Sequence, residues 1–240
     1  MSERAGEIAR LQRLIAAEGA SPASTASWLS SLCRTLSTHL PASGAAISLM
    51  TQEGSSAMAA ASDQVYQGVE ELQFTLGEGP CVDAFATGRP VLVPDVAGDA
   101  AVRWPAYCSD AHGRGVRAVF AFPLQIGGAR LGAMDVFRDQ AGPLSRAEVA
   151  EAMLFAEVAT MTLLDGQEHA PDGQPAGLGA SLDSSLEVHQ AQGMVMVALG
   201  VSLVEALARI RAYAFANDRR LGSVARDIVD RKLSLERDDP

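Results

Sequence analysis

Val119-Phe-Ala-Phe-Pro-Leu-Gln-Ile126, Gly127-Gly128 and Arg130-Leu-Gly-Ala-Met-Asp-Val-Phe137 form the stretch that decides the fold class. Two apolar runs joined by Gly-Gly read as a β-hairpin. Upstream, Val91-Leu-Val-Pro-Asp-Val96 reads as a strand. Pro94 puts it at a sheet edge or a strand end, because proline has no N–H for a central ladder. Gly44–Met50 and Ser56–Ser62 read as an antiparallel pair around a turn at 51–54. Between them and the hairpin, Val65, Val69 and Leu72 predict a short helix, Cys81 to Thr87 another, and Trp104 to His112 a third. Leu76-Gly-Glu-Gly-Pro80 reads as a loop whose glycines allow positive φ.

Helices enclose this block on both sides. From Ser24 onward, Trp28, Leu32, Leu36 and Leu40 repeat every four residues and give one buried face. After the hairpin, Ser145 and Glu148 form a capping box. The helix behind it is expected to bury Val149, Met153, Ala156, Thr160 and Leu163. Antiparallel strands between terminal helices make an α+β domain.

Beyond it, residues 166–181 lack periodicity and carry several Gly and Pro, which reads as a linker. Three helical patterns follow, an all-α tail. The first, Asp183 to Leu199, is apolar nearly all round from Met194 and is expected to sit centrally. Gly193 costs that helix about 1 kcal/mol against Ala, which close helix packing or a partner pressed on the backbone would explain. Ser202 and Glu205 form a second capping box, opening a helix with Leu203, Leu207, Ile210 and Ala214 on one face. The third pattern uses Leu221, Val224, Ala225, Ile228 and Val229, with Arg219 and Arg226 two turns apart on one side. The expected organisation is therefore an N-terminal helix and linker at 1–23, a sheet-and-helix domain at 24–165, a linker at 166–181 and a helical domain at 182–240.

Composition excludes several classes. No apolar run approaches the roughly 20 residues of a membrane span, and the first residues lack a signal-peptide core, so a cytoplasmic protein is expected. Cys33, Cys81 and Cys108 are odd in number and far apart, against a disulfide framework or a metal knuckle. His39, His112, His169 and His189 make no nucleophile–base or metal spacing with them, and no GxxxxGK loop occurs, so no enzyme, metal or cofactor is expected. The net charge of −10 is poor for a nucleic-acid binder. Its distribution is uneven. Residues 202–233 hold Arg209, Arg211, Arg219, Arg220, Arg226, Arg231 and Lys232 against Glu205, Asp218, Asp227 and Asp230. That excess either attracts phosphate or forms a solvated helix face with intrahelical pairs.

Two resemblances sharpen the reading. Gly77-Glu-Gly-Pro-Cys81, Gly88-Arg-Pro-Val91, Pro94-Asp-Val96, Arg103-Trp-Pro105, Gly115-Val-Arg-Ala-Val119, Phe122-Pro-Leu124 and Leu131-Gly-Ala-Met-Asp-Val136 are similar in order and spacing to a bacterial GAF domain. The resemblance implies a sensor that binds a small molecule or mediates dimerisation. The small residues of Leu131-Gly-Ala leave room for a ligand or for another backbone. Cys81 and Cys108 lack the neighbouring histidine of bilin-binding GAF domains, and the Asn-Lys-Phe-Asp signature of cyclic-nucleotide binders is absent. His112 lies in a connector, where a surface histidine is the simpler reading than a haem ligand. Glu78 and Asp83 flank Cys81, a poor setting for a reactive thiol.

In the tail, Gln190-Ala-Gln-Gly-Met194, Met196, Ser202, Glu205-Ala206, Arg211, Ala214, Asn217, Leu221 and Val224-Ala225 resemble the ANTAR domain, and the ending Arg231-Lys-Leu-Ser-Leu235 looks like actinobacterial GAF–ANTAR proteins. The resemblance implies an antitermination regulator: a homodimer that binds hairpin loops of nascent RNA through Gln190, Gly193, Arg211, Arg219, Arg220 and Arg226. Gln192 stands where the family often has lysine. The alternative is a GAF sensor and dimerisation protein that acts through protein partners without RNA.

Overall fold

The computed structural model describes residues 2–19, 24–51, 56–168 and 179–235. The elements, in chain order, are α1 (Ser2–Ala17), α2 (Thr25–His39), β1 (Gly44–Met50), β2 (Ser56–Ala61), α3 (Gln64–Leu76), α4 (Pro80–Thr87), β3 (Val91–Val93), α5 (Ala100–Arg103), α6 (Pro105–Gly113), β4 (Ala118–Ile126), β5 (Ala129–Arg138), α7 (Arg146–Glu168), α8 (Gly179–Leu199), α9 (Leu203–Ala216) and α10 (Leu221–Val229). Residues 52–54 of the turn expected at 51–54, the linker residues 20–23 and residues 169–178 lie outside the described residues.

The hairpin forms as read and becomes the centre of a five-stranded antiparallel sheet of order β2-β1-β5-β4-β3. β3 is an edge strand that stops before Pro94. Strand alternation sorts the two faces. Met134 and Val136 of β5, with Ala45, Ile47, Phe120, Phe122 and Leu124, meet α1, α2 and α7 in one core. The alternate residues Ala46, Val119 and Phe137 face α3 and α6 in a second.

Several expectations need adjusting. α3 is longer than its apolar spacing suggested, because Gly77 closes it in the left-handed conformation (φ 72°) only after Leu76. The helix expected at 104–112 begins at Pro105, and a separate turn, α5, precedes Trp104. On α7 the capping box forms, with Ser145 N donating to Glu148 at 2.6 Å. Ala156, Thr160 and Leu163 are buried as expected, but the face is broader and turned toward Ala152, Phe155 and Ala159, so that Met153 is 48% exposed. Packing against β4 as well as α2 selects that face, a choice that periodicity alone does not make. α7 also runs on to Glu168, through residues read as linker, because Gly166 lets it pass against Thr25 at the start of α2.

The tail folds into its own core of Val188, Ala191, Val195, Leu199, Ala206, Leu207, Ile210, Ala214, Val224, Ala225 and Ile228. α9 turns off α8 by 106° after Gly200, whose φ is 68°. Ser202 caps α9 through Glu205 N at 3.2 Å, while the Glu205 carboxylate turns to Arg209. α8 packs against both other tail helices, yet its apolar turn is not covered all round: Val197 is 76% exposed, and Leu203, expected inside, points out with Val204. Three short helices have too few neighbours to cover an all-apolar turn. Among the described residues, no single helix is long and apolar enough to cross a membrane.

Gly132 settles one open alternative. It pairs with Leu49 in β1, and a Cβ added there would overlap the carbonyl oxygen of Ser48. The small residue accommodates another backbone. Gly132→Ala is expected to force β1 and β5 apart and to destabilise the sheet domain by about 1–3 kcal/mol, the usual cost of overpacking. Urea denaturation measures it; an unchanged midpoint would show that the strands yield freely.

Candidate functional site

The α3–α4–α6 side of the sheet holds a polar cluster inside the core of the sheet domain. Ser48, Glu70, Gln73, Cys81, Tyr107 and Asp135 are all fully buried. Asp135 sits mid-strand beside Ala46 and Ala121, whose small side chains leave it room. Glu70 and Gln73 come from the inner face of α3, one turn apart. The Gln73 amide joins them. Its Nε2 donates to Glu70 at 2.9 Å and to Asp135 at 2.6 Å, and its Oε1 accepts from Cys81 N at 2.8 Å. Ser48 donates to the other Glu70 oxygen at 2.7 Å.

The Gly77-Glu-Gly-Pro-Cys81 segment builds this cluster. Gly77 ends α3. Glu78 accepts from Ala106 N and Tyr107 N, both at 3.0 Å, and so caps α6, whose N-cap residue Trp104 makes no side-chain cap. A Cβ on Gly79 (φ 142°) would collide with the Gln73 amide. Pro80 then opens α4 with Cys81 facing inward. The motif residues therefore orient α4 and α6 around Gln73.

Charge is the chief oddity here. Neither Glu70 nor Asp135 has an ion pair with a basic side chain among the described residues. Burial raises the Glu70 carboxyl above its ordinary range and, together with the nearby Glu70, raises Asp135 well above it. Burial likewise pushes Tyr107 and Cys81 well up, and both feel the two acids. Sequence reading missed these acids. The available signal was an aspartate in mid-strand between Met134 and Val136, where β alternation assigns a covered face.

The six residues tied to RNA by resemblance are spread over the tail. Gln190 is exposed on α8, one turn after Glu187. Gly193 is part-exposed, and a Cβ there would meet nothing within 4 Å, so close packing within this chain does not account for it. Arg219 lies ahead of α10, not on it, and pairs with Asp227 at 2.6 Å. Arg226 makes a two-pronged contact with Glu187 at 2.9 and 3.0 Å, which brings α10 beside the Gln190 face of α8. Arg220 reaches out of the tail to Glu71 of α3 at 3.1 Å. Arg211 is largely buried, and a Cβ on Gly77 would stand 2.7 Å from its Nη1, so this arginine rests on the end of α3. Gln192 is turned inward, 7% exposed, and donates to Leu203 O at 2.7 Å across the α8–α9 turn. Its position is a structural one.

All three cysteines are buried and unpaired with one another. Desolvation raises every thiol, Cys108 to about 11. A thiol reagent at neutral pH is therefore expected to label the native protein only at the rate of unfolding. Rapid labelling of Cys81 in the folded chain would reopen a redox role.

Comparison with known proteins agrees with this geometry. A GAF domain model matches residues 23–164, and an ANTAR domain model matches residues 176–229. No curated protein sequence matches the chain. Among solved structures, the GAF domain of a phosphoenolpyruvate-protein phosphotransferase from Coxiella burnetii aligns with TM-score 0.54 at 17% identity, covering 68% of this chain and 96% of that one. Free methionine-R-sulfoxide reductase from Neisseria meningitidis, in complex with its substrate, aligns with TM-score 0.51 at 14% identity, covering 70% and 92%. Likeness at these identities speaks to the fold. An α+β sheet domain with the first model and a three-helix tail with the second are two regulatory modules in series, and the chain belongs to the GAF domain family as a GAF–ANTAR regulator.

Proposed function

We propose that the protein is a signal-responsive antitermination regulator, in which the GAF half senses and the ANTAR half binds hairpin loops of nascent RNA in the cytoplasm. The observation that carries this reading is the ANTAR match over helices whose arginines lie in exposed, exchangeable pairs. Exposed ion pairs contribute about 0–1 kcal/mol each. A phosphate displaces such a carboxylate at little cost. Arg219, Arg220 and Arg226 then serve the phosphates, with Gln190 and the open backbone at Gly193 beside them. Arg211, against Gly77, and Arg220, on Glu71, are held by the sensor in this arrangement. We assign the resting state to it, with α3 as the element through which the sensor controls the tail.

The homodimer has its own support. Val197, Leu203 and Val204 are exposed around the α8–α9 turn, and a second copy is the occupant that the ANTAR match favours. The same patch is what favours the second reading, a regulator acting through another protein without RNA.

Binding to a leader RNA with paired hairpins is expected to weaken steeply with salt, with a slope of roughly −0.7 per phosphate neutralised on single-stranded segments. Arg226→Ala should weaken binding. Glu71→Ala should strengthen it by releasing Arg220, and Arg220→Ala should cancel that gain. A flat salt slope together with indifference to Arg226→Ala would favour the protein-partner reading.

A further inference from the structure

We propose that Glu70, Cys81 and Asp135 form a buried site for one divalent transition-metal ion of the zinc class, with the Tyr107 phenol beside it. The site stands on the sensor half alone and does not depend on RNA binding.

The three side chains come from α3, α4 and β5, and one donor atom from each lies within 4.8 Å of the others. Zinc–ligand distances are about 2.3 Å to sulfur and about 2.1 Å to oxygen. Tetrahedral donors thus stand about 3.5 Å apart, and the trio needs to close by roughly an ångström around an ion.

A second observation points to a missing ligand. Tyr107 Oη has no hydrogen-bond partner among the described residues, and Asp135 Oδ1 has none once both acids are ionised, when the proton that Asp135 shares with Glu70 is gone, although both side chains are fully buried. Burial first, and then the charges of Asp135, Glu70 and Cys81, push the Tyr107 phenol up, and α6, which carries it, packs on the same face of the sheet. An orphaned buried polar atom costs about 1–3 kcal/mol. A cation that takes Asp135 Oδ1, with the phenol or a water in the fourth position, removes that cost.

The donor chemistry selects the ion. Magnesium and calcium prefer all-oxygen shells of six or more ligands. A thiolate with two carboxylates suits a borderline-soft, four-coordinate ion. Without metal, protons keep the carboxyls and the thiol neutral, in line with their raised pKa values. The ion replaces those protons, which pass to solvent. Ser48 and Gln73 already hold the remaining carboxylate lone pairs, as an outer shell should. Glu70 also adjoins Glu71, which holds Arg220, so the ion would sit behind the helix face on which the tail rests.

The test uses the full chain, stripped with a chelator and titrated with Zn²⁺ and Co²⁺. Metal is added to the native protein and, separately, during refolding from urea, so that a closed core does not block entry. One equivalent should bind, raise the Tm and, for cobalt, give a thiolate-to-metal charge-transfer band in the near ultraviolet. Cys81→Ser should abolish the band, while Cys33→Ser and Cys108→Ser should keep it. Asp135→Asn and Glu70→Gln preserve side-chain shape, and each should weaken binding by roughly a hundredfold. Absence of stoichiometric binding by either route overturns the proposal. So does a cobalt complex without the sulfur band, or binding that survives both carboxylate substitutions.

Discussion

The Gln73 side chain ties the sensor together. One amide joins the middle of the sheet, the inner face of α3 and the first residue after Pro80 in α4. An amide has a fixed donor end and a fixed acceptor end, so its three bonds set the spacing of three elements at once. The surrounding motif follows from that need. Gly79 is bare because the amide lies against its α-carbon, and Glu78 turns away to cap the helix that carries Tyr107. In a core of this kind an unpaired polar atom is costly, and the network is closed everywhere except at Asp135 and Tyr107.

α3 has two faces with different tasks. Glu70 and Gln73 look into the sensor, while Glu71 and Gly77 meet the tail at Arg220 and Arg211. These two kinds of contact differ greatly in strength. The inner ones are buried hydrogen bonds, costly to break. The outer ones include an exposed ion pair worth about 0–1 kcal/mol. On the proposed reading, a small displacement of α3 changes how the tail docks without unfolding either core. The tail keeps its own apolar core throughout, which lets it act as a unit.

Much of this was legible along the chain. The Gly-Gly hairpin, the edge strand ending at Pro94 and the Ser145 capping box are local features, and local chemistry decides them. The three tail helices were equally plain from their apolar spacing. Where two faces competed, the pattern misled: Met153 and Leu203 were placed inside and lie outside. Arg219 was set on a helix that starts after it. Spacing rules weigh only ligands that lie near one another in the chain. They are blind to Glu70, Cys81 and Asp135, which sit on three different elements and meet only on one folded face of the sheet.

The sequence by itself determined the elements, their order and the two-part plan, because hydrogen-bond caps, turns and apolar periods act over a few residues. Only the tertiary structure decided which arginines pair within the tail and which meet α3, and that two acids and a thiol converge on one face of the sheet. Those are matters of distance between segments far apart in the chain, and packing, through the closest approach that Gly132 and Gly79 permit, sets that distance.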